Sequence, residues 1–319
     1  MTVETLRQRA AIIKKVRDFF DNKNYLSLDT PLLSSDLIPE SCLEVFQTDR
    51  LYPHGSREKS RPLWLIPSPE IHMKKIIAKH KTDIYQICKC FRNGESVGHL
   101  HNSEFTMLEY YTMNADYMDS LLLTEDLFNI FNKTCSGRES SAATTFERIT
   151  VADAFKRYAG FDLFAAAEDR NEMEKHAQRL GLDPMPGLEV SVLYDLIFIH
   201  AVEPHLKTEK PIALLDYPAF VPCLAKKSPD GKTVERWELY WNGIELANCF
   251  SEETDPQKVK EFFTSEQEKR SKTALVQHDI DVSYWKMFED FPRCSGVAMG
   301  LDRLIMGLLG KSDISGVTI

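Results

Sequence analysis

A carboxylate and a phenol lie two residues apart in residues 104–111, a run rich in aromatic and β-favouring residues. Such a run predicts a strand, and because strand side chains alternate between the two faces, Phe105, Met107, Glu109 and Tyr111 share one face. An acid and a phenol beside an aromatic ring suit a pocket for a cationic group. The alternative is a sheet with one solvent-exposed face, on which Glu109 is solvated.

Two further segments carry residue types that could take part in chemistry. Arg92 stands among polar turn-forming residues just ahead of the predicted strand. Ser68, Pro69 and Glu70 introduce a helical run, in which Ser68 suits the N-cap, Pro69 the first helical position and Glu70 the first turn. Without further context, this second segment is only a well-formed helix start.

The elements that must position these residues follow from apolar spacing and turn residues. Strands over 83–91 and 104–111 predict a hairpin with a long loop. A second hairpin is predicted over 234–250, around the turn Asn242-Gly243. The remaining predictions are a strand-like run over 25–33 interrupted by Pro31, helices over 4–20, 116–133, 151–200 and 255–272, and a strand followed by a helix over 294–309.

Two acids of the second hairpin have an unusual spacing. Glu245 and Glu252 are seven residues apart, which in a regular strand places them on opposite faces. If both serve one site, a β-bulge or a strand end must lie between them.

Composition limits the class of protein. The chain has 319 residues, 43% of them hydrophobic, which is enough for a large buried core. The net charge of −9 argues against a protein that binds mainly by neutralising nucleic-acid phosphates. The 7 cysteines are scattered and odd in number, which favours reduced thiols over a disulfide framework or a zinc site. We find no signal-peptide or membrane-spanning pattern and expect a soluble, cytoplasmic protein.

Three ordered segments carry a resemblance to a known family. A helix leading to Pro31, the block FRN…HNSEFTMLEYY and the block GVAMGLDRLIMGLLG resemble motifs 1, 2 and 3 of the class II aminoacyl-tRNA synthetases, in the lysyl branch. Within that branch the chain is most similar to truncated paralogues that attach (R)-β-lysine to elongation factor P and consist of the catalytic domain alone.

The resemblance implies a fold and an organisation. The expected fold is α+β, a mainly antiparallel sheet flanked by helices. We expect one catalytic domain over 1–319, with a helical insertion at about 146–200 and no anticodon-binding domain. Motif 1 of this class forms a dimer interface, so a homodimer is expected.

The resemblance also implies roles for individual residues in forming an aminoacyl adenylate from ATP. Arg92 would be catalytic, bridging the substrate carboxylate and the α-phosphate. Phe105 and Arg303 would hold the adenine between them. The implied ATP-binding residues are Arg92, Asn93, Gly94, Glu95, His101, Asn102, Phe105, Glu245, Leu246, Asn248, Gly300 and Arg303. The implied substrate-binding residues are Ser68, Pro69, Glu70, Glu109, Tyr111, Glu252 and Ala298, while Glu245 and Glu252 would hold Mg²⁺.

The sequence departs from the family pattern at several positions. Gly94 precedes Glu95 where motif 2 usually has the acid directly, so which acid faces adenine stays open. His99 and Leu100 stand where an arginine is common, and Cys249 replaces a usual glycine. At position 298 lysyl-tRNA synthetases have glycine, whereas the elongation factor P ligases have alanine, as this chain does.

Three functions remain open at this stage. The first is ligation of (R)-β-lysine to elongation factor P, with tRNA binding not expected. The second is a truncated lysyl-tRNA synthetase-like enzyme that activates α-lysine for a tRNA or another acceptor. The third is a catalytically silent binding paralogue, which is disfavoured because Arg92, Glu245, Glu252 and Arg303 are all present.

Overall fold

A computed structural model describes residues 1–54, 60–94, 98–135 and 145–318, with 132–135 described only as helical backbone. These residues form two compact units, one made of Met1–Ala115 and Glu253–Ile319 and the other of Asp116–Glu252.

The elements are numbered here in chain order. The strands are β1 (Leu26–Ser27), β2 (Leu33–Ser34), β3 (Gln47–Arg50), β4 (Arg61–Leu65), β5 (Ile84–Phe91), β6 (Glu104–Met113), β7 (Glu147–Thr150), β8 (Ile212–Pro218), β9 (Thr233–Trp241), β10 (Ile244–Ser251) and β11 (Cys294–Gly300). The α-helices are α1 (Val3–Asn22), α2 (Glu70–His80), α3 (Tyr117–Cys135), α4 (Val151–Ala154), α5 (Leu163–Ala167), α6 (Arg170–Arg179), α7 (Val190–Ile197), α8 (Pro256–Thr273) and α9 (Leu301–Leu308). Short segments of π- or 3₁₀-helix occupy Phe155–Ala159, Phe198–Val202, Glu203–Leu206, Tyr284–Asp290 and Ile314–Gly316.

The strands of the first unit follow the order β1-β5-β6-β11, with β1 parallel to β5 and the other pairs antiparallel. The predicted hairpin of β5 and β6 is confirmed, with Ile84 opposite Tyr111 and Phe91 opposite Glu104. A small separate sheet has the order β2-β4-β3. The predicted interruption of the strand-like run over 25–33 is confirmed: the run is divided into β1 and β2, because Pro31 lies between them and has no N–H to donate to a ladder.

Helix α1 packs against this sheet through aromatic rings. Thr2 caps it, with the Thr2 hydroxyl accepting the N–H of Thr5 at 3.1 Å. Near the other end of the helix, Phe20 lies 5.0 Å from the ring of Tyr85 and 4.8 Å from the ring of Tyr110. The helix therefore forms as predicted, one residue longer at its start and two longer at its end.

A buried ion pair joins the first and last helices of this unit. Arg9 of α1 lies with Nη1 2.6 Å from Oδ1 of Asp302 in α9, and Asp302 is 1% exposed. The second carboxylate oxygen of Asp302 accepts the backbone N–H of Thr106 at 2.7 Å, while Arg9 also donates to the Thr106 hydroxyl at 3.0 Å. Asp302 thus fixes the start of α9 against β6.

The strands of the second unit follow the order β10-β9-β8-β7, with β7 parallel to β8 and the other pairs antiparallel. The predicted Asn-Gly hairpin is confirmed, since Asn242 and Gly243 have φ values of 53° and 78°. Helices α4 to α7 form a core around Phe155, whose ring stacks on those of Tyr194 at 5.2 Å and Phe198 at 6.5 Å. The predicted α+β class with mainly antiparallel pairing is therefore confirmed.

Candidate active site

The structure gathers three of the predicted substrate residues around the buried carboxylate of a fourth, Glu109. The Ser68 hydroxyl donates to Oε2 of Glu109 at 2.7 Å, and the Tyr111 hydroxyl donates to Oε1 at 2.8 Å. The same Ser68 oxygen accepts the backbone N–H of Glu70 at 3.0 Å. Glu109 is 2% exposed, so the alternative of a solvated acid is wrong. Helix α2 begins at Glu70, and Pro69 rather than Ser68 occupies the cap position.

Burial governs the proton affinity of this carboxylate. Burial raises the pKa of Glu109 to about 7, and the negative charge of Glu70 raises it as well, whereas hydrogen bonds from Ser68 and Tyr111 and the charge of Lys74 lower it. A cation that enters the site would favour the ionised form of Glu109. The site is therefore suited to a positively charged ligand.

Glu70 is paired with a lysine that sequence reasoning missed. Nζ of Lys74 lies 2.5 Å from Oε1 of Glu70, one helical turn away in α2. The Lys74 side chain is completely buried and that of Glu70 is 16% exposed. The sequence does indicate this pair, because a lysine four residues after an acid lies on the same face of a helix. Its neighbour Met73 is apolar. A substrate amine that binds Glu70 would share the carboxylate with Lys74.

A second acid near this pair was also missed. Burial raises the pKa of Glu40 to about 7, the charge of Glu70 adds to the effect, and the charge of Arg92 opposes it. The backbone carbonyl of Glu40 accepts a hydrogen bond of 2.8 Å from the buried Arg270. Glu40 lies in an irregular stretch outside any regular element, so no periodic pattern marked it.

Two predicted residues of β11 lie beside this cluster. Ala298 is directly opposite Glu109 in the β6–β11 ladder, and residues opposite each other share a face of the sheet. Gly300 is opposite Met107, two pairs further along. A Cβ atom on Gly300 would lie 3.4 Å from Cδ of Arg303, so glycine leaves room for the arginine stem.

Arg92 follows β5 and lies over an aromatic ring. Its guanidinium carbon is 5.3 Å from the centre of the Phe105 ring, which is cation–π geometry. Its backbone N–H donates to the carbonyl of Ser103 at 2.9 Å. Arg303, predicted to share adenine with Phe105, has its Nε 3.4 Å from the carbonyl of Leu100. The structure thus brings Arg92 to Phe105 and ties Arg303 to the loop.

The outgoing side of the β5–β6 loop is held by backbone contacts. Asn93 donates its N–H to the carbonyl of Glu44 at 2.9 Å, and its side-chain oxygen accepts the N–H of Gly94 at 2.9 Å. Gly94 has φ +69°, a conformation that favours glycine, so the extra loop residue is accommodated as a left-handed turn. Glu95, predicted to bind ATP, lies outside the described residues.

The returning side of the loop is held by residues 313–318. His99 pairs with Asp313, and the carbonyl of His99 accepts the N–H of Ile314 at 2.8 Å. The side-chain amide of Asn102 donates to the Thr318 hydroxyl at 3.2 Å. Asn102 and the neighbouring His101, whose N–H is 3.5 Å from the carbonyl of Gly98, therefore lie in a segment, 98–103, that contacts the end of the described chain.

The predicted residues of the second unit lie on and just after β10. The ladder with β9 shifts register between Glu245 and Ala247, and β10 ends at Ser251, so the predicted bulge or strand end between Glu245 and Glu252 is confirmed. Beyond the bulge, Asn248 is opposite Glu238, while Glu245 is opposite Tyr240. Glu238 and Tyr240 share a face because they are two residues apart, so Glu245 and Asn248 share it as well. Leu246, inside the bulge, is buried.

Glu252 follows the end of β10 and is 2% exposed. The alternation that runs through Asn248 places Glu252 on the same face as Glu245, despite the odd spacing of the two acids. The donor set fits Mg²⁺, which commonly takes one or two carboxylates and completes its shell with substrate phosphates and water. Such a site does not need a third protein ligand. Within the described ranges, no group of three or more His, Cys, Asp or Glu side chains could hold a metal ion.

No helix in the described part of the chain is both long and apolar enough to cross a membrane.

Comparisons with known proteins give consistent results. The family profile described as tRNA synthetases class II (D, K and N) matches residues 1–319. An elongation factor P--(R)-beta-lysine ligase from Histophilus somni (strain 2336) is 36% identical over 318 residues, which cover 99% of this chain and 94% of that protein. Proteins with the same name are similar to this chain at 34% identity in Avibacterium paragallinarum, with 99% and 94% covered, and at 35% in Vibrio atlanticus (strain LGP32), with 99% and 95% covered.

Proposed function

The chain belongs to the class II tRNA synthetases (D, K and N), and from this membership we propose that it is a ligase which activates (R)-β-lysine with ATP and transfers it to a lysine side chain of elongation factor P. The observation that carries this proposal is the buried carboxylate of Glu109, which lies opposite the methyl group of Ala298. The relatives named elongation factor P--(R)-beta-lysine ligase also match 99% of this chain.

The first step of the proposed reaction forms an adenylate. A carboxylate oxygen of (R)-β-lysine attacks the α-phosphorus of ATP, the bond from that phosphorus to the bridging oxygen breaks, and pyrophosphate leaves. Negative charge builds on the phosphate oxygens during this step, so a fixed cation near them lowers the barrier. Arg92 is the residue we assign to that role, since its planar guanidinium can contact a carboxylate and a phosphate together.

The second step transfers the acyl group. The neutral amine of the acceptor lysine attacks the acyl carbon, an amide bond forms, the mixed anhydride bond breaks and AMP leaves, with the excess proton passing to solvent. This step needs no nucleophilic side chain from the enzyme. Its main requirement is that reactants are held in position, which removes much of the entropic cost.

Substrate recognition is assigned to the acids of the first unit and to the acid after β10. Glu70 and Glu109 favour a substrate that carries two amines, because each presents a carboxylate to which a positively charged amine can bind. Ser68, Pro69 and Tyr111 form the remaining contacts, and Ala298 limits the room next to the substrate backbone. Glu252 is assigned to both the substrate and the metal.

Family membership is the basis for assigning ATP binding to individual residues. The assigned residues are Arg92, Asn93, Gly94, Glu95, His101, Asn102, Phe105, Glu245, Leu246, Asn248, Gly300 and Arg303. Adenine would stack between Phe105 and Arg303. Mg²⁺ held by Glu245 and Glu252 would supply positive charge to the phosphates.

We further propose a C2 homodimer in the cytoplasm, with residues 1–319 as one catalytic domain and 146–200 as a helical insertion. Dimer formation through α1 and the segment around Pro31 follows from family membership. A tRNA acceptor is disfavoured, since the chain has a net charge of −9.

Pyrophosphate exchange tests the activation step. Purified protein would be given ATP and, in separate reactions, (R)-β-lysine, α-lysine, asparagine or aspartate, and we expect the fastest exchange with (R)-β-lysine. Mass spectrometry of elongation factor P after the full reaction should show one added lysyl group on a lysine. Exchange with none of the four, or efficient charging of lysine tRNA without modification of elongation factor P, would overturn the proposal.

A further inference from the structure

Arg236 of β9 makes a directional contact with one of the residues assigned to ATP. Its Nε donates to the side-chain oxygen of Asn248 at 2.9 Å. Asn248 is opposite Glu238 in the ladder, so Arg236 reaches it along the diagonal, a distance that a long side chain spans. Nothing in the assigned roles above uses this arginine.

The guanidinium is itself held from two further sides. Nη2 of Arg236 lies 2.5 Å from Oε1 of Glu238, and Oε2 of Glu238 accepts the hydroxyl of Tyr240 at 2.8 Å. The guanidinium carbon is 4.4 Å from the centre of the Tyr217 ring. The Arg236 and Glu238 side chains are only 15% and 11% exposed. Arg236 is therefore a rigid donor.

The chemistry of the contact decides which end of the Asn248 amide faces Arg236. An arginine has donors and no acceptor, so the amide oxygen must face it. The amide NH₂ then points to the other side and offers two N–H donors. A free asparagine could present either end, and its oxygen would repel an anionic ligand.

We infer that Arg236 is a positioning residue, which locks Asn248 so that its NH₂ group donates to an anionic oxygen of the bound reactants, either a phosphate of ATP or the amino-acid carboxylate. The inference rests on the proposed function, because it takes Asn248 as a ligand contact. Outer partners that orient ligand-binding side chains are typically worth about 10–100-fold in affinity or activity, and we expect a loss of about tenfold here.

A double-mutant cycle tests the inference. Arg236→Lys keeps a positive charge beside Glu238, but a compact ammonium has no planar fork to hold both Glu238 and Asn248. We expect Arg236→Lys to raise the dissociation constant of ATP, or the KM of the amino acid in pyrophosphate exchange, by about tenfold. In the Asn248→Ala background the same change should have no further effect. A rise in the dissociation constant of ATP identifies the oxygen as one of a phosphate, and a rise in the KM of the amino acid identifies it as one of the carboxylate.

Two further variants distinguish a positioning role of Arg236 from an effect on the stability of the fold. Arg236→Met combined with Glu238→Gln removes both charges together and avoids an unpaired buried acid. It should fold and show the same loss as Arg236→Lys. Arg148→Met removes a different arginine of this unit, paired with Glu125 at 3.0 Å, and should lower the melting temperature without changing either constant.

The outcomes are distinct. ATP affinity measured by calorimetry does not require turnover, so the cycle can be read even if no amino acid supports exchange. Absence of exchange in the unaltered protein counts against the proposed function. Additive effects of Arg236→Lys and Asn248→Ala on ATP and amino-acid binding, or no effect of either, overturn the positioning role.

Discussion

Ala298 and Glu109 are direct partners in the antiparallel ladder of β11 and β6, so a methyl group and a buried carboxylate project from the same face of the sheet. A hydrogen in place of that methyl group would open space next to the carboxylate. The identity at position 298 is therefore expected to influence which amine arrangement of a lysine isomer fits.

Ala298→Gly should shift the substrate preference from (R)-β-lysine towards α-lysine. One methyl group in a pocket is worth roughly 1–3 kcal/mol, which is enough for a preference without making it absolute. The measurement is kcat/KM for both isomers in both proteins. An unchanged ratio, or α-lysine preferred by the unaltered protein, would favour the truncated lysyl-tRNA synthetase-like alternative.

Arg92→Ala should remove adenylate formation while the protein stays folded. Loss of a well-placed electrostatic donor costs about 3–4 kcal/mol, or roughly a hundred- to a thousandfold in rate. Pyrophosphate exchange measures the effect, and the exposed Arg7 provides a control, since Arg7→Ala removes the same charge from the surface of α1. Near-normal exchange in Arg92→Ala would exclude the assigned role.

Substrate affinity should rise with pH through neutrality. The pKa of Glu109 is raised to about 7 by burial, so the ionised form that attracts an amine grows about tenfold between pH 6 and 8. Glu109→Gln should remove the change of the KM for (R)-β-lysine between pH 6 and 8. Glu40→Gln is the control: it alters the other acid whose pKa is raised to about 7, and the KM should still change with pH.

The raised pKa of Glu109 also makes the stability of the ligand-free protein depend on pH. Because the folded pKa of Glu109 lies above its ordinary value, the folded state holds its proton more tightly than the unfolded state does. The contribution of Glu109 to stability is present at a pH below its ordinary pKa and is lost as the pH rises through about 7.

A KM for (R)-β-lysine that is flat from pH 6 to 8 in the unaltered protein would contradict the role of Glu109 in binding the substrate amine.

Arg9→Ala should be strongly destabilising. It leaves the buried carboxylate of Asp302 without its ion pair, and breaking such a pair typically costs about 3–5 kcal/mol. Lys14→Ala is the matched control, since Lys14 lies on the same helix in an exposed pair with Asp18. The urea midpoint should fall for Arg9→Ala and stay unchanged for Lys14→Ala. Equal midpoints for the two variants would show that the buried pair adds nothing.

Elements with local signals were predictable from the sequence. Helix α1 and the Asn242-Gly243 hairpin depend on periodicity and turn chemistry within a few residues, and both formed as predicted. The bulge after Glu245 was inferred from the spacing of two acids and is present. These features need no knowledge of distant packing.

Contacts between distant segments were not predictable in the same way. The burial of Glu109 depends on Ser68, which is 41 residues away in sequence, so periodicity left its environment open. The pairing of Lys74 with Glu70 was visible as a spacing, yet the complete burial of Lys74 required the tertiary structure. Arg236 lies on a strand that the sequence predicts, but its hydrogen bond to Asn248 depends on the pairing of β9 with β10.

The contacts of His99 and Asn102 also set when these two residues can reach their native partners. His99 pairs with a residue 214 positions later, and Asn102 with one 216 positions later. At about 5–20 residues per second, synthesis of that intervening chain takes roughly 10–40 s. During those seconds the loop is made but its partners are not. The nascent protein therefore completes this part of its proposed nucleotide site only after residues 313–318 are made, well after β5 and β6 can pair.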